Sequence, residues 1–155
     1  MSEAVRTEAP GAQAHMSYEV KDGIGLITLN RPESRNAMSL TMVNELMAVF
    51  ESVAGDTTIR AIVLRGTGGH FCAGGDIKDM AGARQQAAGG DDNAFQALNR
   101  RFGEMITAAN RQPQVVITVL EGAVLGGGFG LSTSLSEIET GEPIFSIGAR
   151  LNRRW

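Results

Sequence analysis

Residues 115–131, with the sequence VVITVLEGAVLGGGFGL, decide the fold class of this chain. The first six residues are apolar or β-branched, which predicts a buried strand over Val115–Leu120. The glycine-rich stretch Gly122–Leu131 follows and is predicted to be a turn that opens a helix. Buried strands that feed a turn and a helix are typical of parallel sheets, so the stretch predicts an α/β domain.

A strand followed by a glycine-rich loop also occurs earlier, in residues 59–78, with the sequence IRAIVLRGTGGHFCAGGDIK. Residues Ile59–Leu64 predict a buried strand, and Gly66–Asp76 predicts the loop that follows it. Apolar residues at helical spacing from Phe95 to Ala109 then predict a helix that Pro113 terminates. Residues 81–93 between them are small and polar without a steady period, and they predict a mobile surface segment.

The amino-terminal third predicts a hairpin and a helix. Two strand-like runs, Tyr18–Lys21 and Ile24–Leu29, flank an Asp-Gly turn. Ser39 is the predicted N-cap of an amphipathic helix that stops at Gly55. Residues 1–15 have no apolar run, so we expect a disordered tail there and no signal peptide.

Composition narrows the class of protein. With 155 residues and 43% hydrophobic content, the chain predicts one domain with its own core. A net charge of −3, without a basic stripe in residues 1–149, argues against nucleic acid as a partner. The longest apolar run is shorter than the about 20 residues of a membrane span. One cysteine and two histidines predict neither a disulfide nor a metal site. Because no signal peptide is predicted, we expect a cytoplasmic location.

Glycine supplies 20 of the 155 residues and is clustered in the two turns that follow buried strands. Ligands of open α/β sheets bind at such turns, where missing Cβ atoms expose backbone N–H groups. The run from Gly126 does not complete a dinucleotide-binding GxGxxG pattern, and no Gly-Lys-Ser/Thr exists for a phosphate loop. Tight turns and close helix packing are the alternative explanation of both glycine clusters.

Three motifs follow one another along the chain: Asn30-Arg31-Pro32 with Asn36-Ala37-Met38, then residues 71–78 (FCAGGDIK), then residues 122–131 (GAVLGGGFGL). In this order they resemble the enoyl-CoA hydratase/isomerase (crotonase) family. The resemblance implies a crotonase-like spiral of ββα units and an acyl-CoA-binding domain over residues 16–131. Family members continue further, so it also implies a C-terminally truncated chain that lacks the helical region and ends in a divergent segment, residues 132–155.

The resemblance implies an acyl-CoA thioester as substrate, with coenzyme A as part of the substrate and no other cofactor. By family position, the N–H groups of Gly75 and Gly127 would form an oxyanion hole for the thioester oxygen as it becomes an enolate. Further residues would lie along the CoA moiety, namely Ala37, Ala73, Gly74, Asp76, Ile77 and Lys78. A helix N-cap is the alternative role for Asp76. Cys72 is expected to be a buried filler rather than a nucleophile, and His70 an exposed loop residue.

Hydratases of the family usually carry two glutamates that activate water, and this sequence lacks both. Gly130 stands at the first position, and Phe145–Arg150 lacks the Pro-Glu of the second. The resemblance therefore implies either hydration of an α,β-unsaturated acyl-CoA or an inactive acyl-CoA-binding remnant. Isomerase or decarboxylase chemistry, and a scaffold subunit completed by a full-length homologue, are further alternatives.

The resemblance has two finer implications. Residues 76–80 and the pair Phe129-Gly130 are similar to hydratases of branched glutaconyl-type esters, such as isohexenylglutaconyl-CoA hydratase. Family members form trimers or hexamers, which the absent C-terminal helical region puts in doubt for this chain.

Overall fold

A five-stranded sheet organises the computed structural model, which describes residues 14–91, 93–133 and 137–140. The strands lie side by side in chain order: β1 (Met16–Lys21), β2 (Ile24–Leu29), β3 (Ala61–Gly66), β4 (Val115–Leu120) and β5 (Glu137–Thr140). β1 pairs with β2 antiparallel, as the predicted hairpin requires, and every later pair is parallel. Parallel pairing places the carboxyl ends of β2, β3 and β4 at one edge, so the loops that follow them meet there.

In the described ranges, four helices connect or follow the strands: α1 (Leu40–Ala54), α2 (Ile77–Ala88), α3 (Ala94–Asn110) and α4 (Gly127–Thr133). α1 begins as predicted, because Ser39 Oγ accepts a hydrogen bond of 3.1 Å from the Met42 N–H, and it ends at Gly55. A 3-10 turn, Pro32–Ser34, lies between β2 and α1. None of the helices in the described ranges is long and apolar enough to cross a membrane.

One apolar cluster joins a face of the sheet to α1 and α3. Alternate strand residues point into it because successive side chains of a strand face opposite sides. The strands contribute Ile27, Leu29, Ile62, Leu64, Val116 and Leu120, and the helices contribute Met42, Leu46, Phe50 and Met105, all of them buried. The core therefore lies between one face of the sheet and the helices α1 and α3. It holds the strands in place, and with them the loops that leave their carboxyl ends.

The prediction of a mobile surface segment is wrong for residues 81–88, which belong to α2. Asp76 caps this helix by accepting hydrogen bonds from the N–H groups of Lys78 (2.8 Å) and Asp79 (3.4 Å). Ala, Arg and Gln fill its second half, and these residues favour helices. Ala83 is the one buried residue in α2, so the apolar periodicity that marks an amphipathic helix is missing.

Other differences from the sequence predictions concern β3, β5 and the amino-terminal tail. β3 begins at Ala61, and Ile59 is buried in the preceding loop. β5 was not predicted; it adds a strand within the segment expected to diverge. His15, the last residue of the predicted tail, contacts α1 through its N–H, 3.1 Å from Glu45 Oε2. The tail prediction for residues 1–13 and the sequence 145–150 lie outside the described residues.

Candidate active site at two glycine turns

A short ladder of backbone hydrogen bonds joins the loop after β3 to the loop after β4. The Phe71 N–H donates to Glu121 O at 2.8 Å, and the Cys72 N–H donates to Ala123 O at 3.0 Å. The Leu125 N–H returns a hydrogen bond of 3.0 Å to Cys72 O. The ladder therefore brings the second and third sequence motifs side by side.

Gly74 and Gly126 are the point where the two turns touch. Both have left-handed backbones, with φ of +102° and +49°. A Cβ on Gly74 would lie 3.3 Å from Leu125 O, and a Cβ on Gly126 would lie 3.7 Å from Gly74 Cα. The backbones of the two turns approach this closely because neither Gly74 nor Gly126 carries a side chain.

Gly75 and Gly127 come next in the two turns. Among the described residues, neither Gly75 N–H nor Gly127 N–H donates a hydrogen bond. The N–H groups that follow them are both used: Asp76 N–H donates to Met38 O at 3.0 Å, and Gly128 N–H donates to Leu125 O at 2.9 Å. Two unpaired backbone donors on contacting turns can bind an oxygen that gains negative charge.

The first motif packs against the turn that carries Gly75. The Met38 N–H donates to Gly74 O at 2.7 Å, and the Ala73 N–H donates to Arg35 O at 3.0 Å. With the ladder to residues 121–125, these hydrogen bonds bring all three motifs to one edge of the sheet.

A buried ion pair fixes Asp76 directly after Gly75. Arg31 Nη1 lies 2.7 Å from Asp76 Oδ2 and also donates to Ala37 O at 2.7 Å. Burial alone would raise the pKa of Asp76, but hydrogen bonds from Arg31, Lys78 and Asp79 and the charge of Arg31 outweigh it and hold that pKa below its usual range. The N-cap alternative for Asp76 is therefore confirmed.

The other residues that are predicted to lie along the CoA moiety surround the start of α2. Gly74 is buried, Ala37 and Ala73 are partly buried, and Lys78 is exposed. Ile77 is 81% exposed, which leaves a large apolar side chain in water beside the Gly75 turn. Contact of these residues with CoA stays a prediction.

Two apolar side chains next to the turns were missed by sequence reasoning. A Cβ on Gly127 would lie 2.7 Å from Phe102 Cζ, and a Cβ on Gly75 would lie 3.3 Å from Met80 Sδ. Phe102 follows the helical spacing of α3, so its sequence pattern indicates only a core position. Its ring in fact packs against Gly127, which carries one of these two N–H groups.

The structure corrects the prediction for His70. This side chain is partly buried rather than exposed, and its Nδ1 accepts a hydrogen bond of 3.0 Å from the Ala123 N–H. His70 therefore connects the loop after β3 with the turn after β4.

Cys72 is fully buried, as predicted, and burial raises the pKa of its thiol to about 11. The thiolate is the reactive form, so we expect native protein at pH 8 to resist iodoacetamide. The same protein in concentrated urea should be alkylated completely, which mass spectrometry would measure. Native alkylation as fast as that of the unfolded chain would contradict the burial of this thiol.

Comparison with known proteins places these features in a family. Residues 19–135 match the family model described as enoyl-CoA hydratase/isomerase. An enoyl-CoA hydratase/isomerase crystal structure from Marinobacter aquaeolei is 54% identical with a TM-score of 0.76, covering 81% of this chain and 48% of that one.

Two curated relatives act as further reference points. The mouse mitochondrial Delta(3,5)-Delta(2,4)-dienoyl-CoA isomerase is 36% identical over 110 residues, 68% of this chain and 33% of its own length. The 3-hydroxyisobutyryl-CoA hydrolase 1 of Arabidopsis thaliana is 30% identical over 125 residues, 78% of this chain and 31% of its own. The chain thus spans about a third of these relatives.

The predicted crotonase-like α/β fold is confirmed by the match to solved structures. The three motifs that the structure brings together all lie within the matched residues 19–135. This chain belongs to the enoyl-CoA hydratase/isomerase family.

Proposed function

We propose that this chain binds the thioester oxygen of an acyl-CoA through the N–H groups of Gly75 and Gly127 and stabilises the enolate form. The observation that carries the proposal is that neither N–H group has a hydrogen-bond partner in the part of the chain that the structure describes, and that both lie next to the contact between Gly74 and Gly126. Fixed N–H dipoles stabilise developing charge without reorganising, and one such donor contributes about 3 kcal/mol to a transition state. The names of both curated relatives specify CoA thioesters, which supports this substrate class.

Hydration of an α,β-unsaturated acyl-CoA is the reaction that we propose for this site. Enolate formation at the thioester oxygen is the step that the two N–H groups would assist. Phe102 and Met80 would shield that oxygen from bulk water, which strengthens each N–H interaction.

Binding without turnover is the second candidate, and the charges of the two turns favour it. Asp76 is the one carboxylate in residues 71–78 and 122–131, and it is paired with Arg31. Gly130 offers no side chain where the family resemblance implies a glutamate. These two turns therefore supply no free carboxylate to activate water.

The test compares Gly127→Pro with Gly127→Ala. Both variants add a Cβ beside Phe102, but only proline removes the N–H, and proline is tolerated at the first position of a helix. Isothermal titration would give Kd for butyryl-CoA and for an S-butyl-CoA thioether, which differs from it only by lacking the thioester carbonyl oxygen. We expect wild type and Gly127→Ala to prefer the thioester, and Gly127→Pro to lose roughly fivefold of that preference.

An equal thioester preference in Gly127→Pro would contradict the proposed donor. A hydration assay with crotonyl-CoA then separates the two candidates. Turnover that Gly127→Pro abolishes supports the hydratase, whereas thioester binding without turnover supports the second candidate.

A further inference from the structure

We propose that His70 is a positioning residue for the oxyanion hole, acting through the peptide of Ala123 and not through contact with the substrate. This inference rests on the proposed function of Gly75 and Gly127. His70 lies on the loop that leads to Gly75, and its Nδ1 accepts the Ala123 N–H on the turn that leads to Gly127.

The backbone of His70 is anchored on its other side by Asn36. Asn36 Nδ2 donates to His70 O at 2.7 Å and to Thr67 O at 2.9 Å. Asn36 Oδ1 accepts the Arg31 N–H at 2.8 Å, and the Asn36 side chain is fully buried. The first motif therefore holds the backbone of His70 through Asn36, and the His70 side chain contacts the third motif at Ala123.

The backbone of Ala123 is held at both its N–H and its carbonyl. Its N–H donates to the His70 ring at 3.0 Å, and its carbonyl accepts the Cys72 N–H at 3.0 Å. Gly122 precedes it with a left-handed φ of +53°, and a Cβ there would lie 2.5 Å from His70 Nδ1. The chain leaving β4 therefore turns directly against the imidazole, and the ring sets the orientation of the peptide that begins the turn to Gly127.

The contact also fixes the state of the imidazole. A backbone N–H can only donate, so Nδ1 must carry the lone pair and the ring proton must lie on Nε2. Asparagine places its Oδ1 near the position of Nδ1, whereas glutamine places its amide near the position of Nε2. His70→Asn therefore keeps an acceptor for Ala123, and His70→Gln moves it away.

The experiment measures Kd of the full chain for butyryl-CoA and for the S-butyl-CoA thioether. We expect His70→Gln to lose roughly fivefold of the thioester preference, and His70→Asn to stay within about twofold of wild type. The Kd for the thioether should be unchanged in both variants, because His70 does not contact the CoA moiety in this proposal. A purely structural role would lower affinity for both ligands alike.

The outcomes separate this inference from the proposed function. Wild type without any thioester preference would overturn the proposed function and this inference with it. A wild-type preference that His70→Gln retains, or that His70→Asn also loses, would overturn the role of His70 alone. If His70→Gln does not fold, long-range 1H–15N spectra of the wild type test the contact itself, because a proton on Nδ1 would exclude the hydrogen bond from Ala123 and would overturn the role of His70.

Discussion

Replacing Arg31 with methionine is expected to lower the free energy of unfolding by about 3 kcal/mol, as measured by urea denaturation. The Asp76 side chain is 7% exposed and that of Arg31 is 14% exposed, so the variant leaves a buried carboxylate without its counter-charge. Arg31 Nη1 also donates a hydrogen bond to Ala37 O, and the methionine variant removes this hydrogen bond as well. Unpaired buried groups are costly because water cannot replace the missing hydrogen bonds.

Arg101→Met is the matched control for this prediction. Arg101 pairs with Glu104 at 3.0 Å, but the two side chains are 39% and 47% exposed. Exposed pairs contribute less than about 1 kcal/mol, so this variant should remain close to wild type. A double-mutant cycle of Arg31→Met with Asp76→Asn measures the coupling free energy between the two side chains. The double variant should be destabilised by less than the sum of the two single variants. Additive losses would contradict a direct Arg31–Asp76 interaction.

The same ion pair predicts how stability depends on pH. The pKa of Asp76 is lower in the folded protein than in the unfolded chain, where an aspartate has a pKa of about 3.9. Its stabilising contribution is therefore fully present above that value and is lost as pH falls through the lower, folded-state pKa. The difference in unfolding free energy between wild type and Asp76→Asn should be constant near neutral pH and should narrow below about pH 4.

Local sequence signals predict the strands β1 to β4 and the helices α1, α3 and α4 of this chain. β4 has the predicted ends, and α1 has the predicted cap and stop, because periodicity and turn chemistry are properties of neighbouring residues. The prediction fails at α2, where Ala83 alone is buried and the Asp76 cap has no amphipathic pattern after it. A helix that packs through so little of its surface has almost no apolar signal to detect.

The candidate site is only partly visible in the sequence. Motif resemblance names Gly75 and Gly127, but it does not show that Gly74 and Gly126 bring their turns into contact. The Arg31–Asp76 and Ala123–His70 hydrogen bonds join residues 45 and 53 positions apart. Contacts between residues so far apart in sequence depend on how the strands are paired. No local pattern in the amino-acid sequence therefore predicts them.

Gly128→Ala is expected to cost about 2–3 kcal/mol of unfolding free energy, the second large effect in this chain. Gly128 is buried where α4 crosses the loop after β3, and a Cβ there would lie 2.6 Å from both Cβ and O of Cys72. Cys72 cannot move aside easily, because its N–H and carbonyl are both hydrogen-bonded in the ladder to Ala123 and Leu125. Cys72→Ala in the same background should not restore stability, since it removes only the sulfur.

Gly130→Ala supplies the matched control in the same helix. Apart from its chain neighbours and the backbone of α4, no atom of the described residues lies within 4 Å of a Cβ at Gly130, so alanine there should be neutral or should stabilise α4 by up to about 1 kcal/mol. Because Gly127 precedes Gly128 directly, moving α4 away from Cys72 should also weaken the thioester preference of Gly128→Ala. Equal urea midpoints for the two alanine variants would contradict the close packing of α4 on Cys72. A lower midpoint with an unchanged thioester preference would instead separate that packing from the placement of the Gly127 N–H.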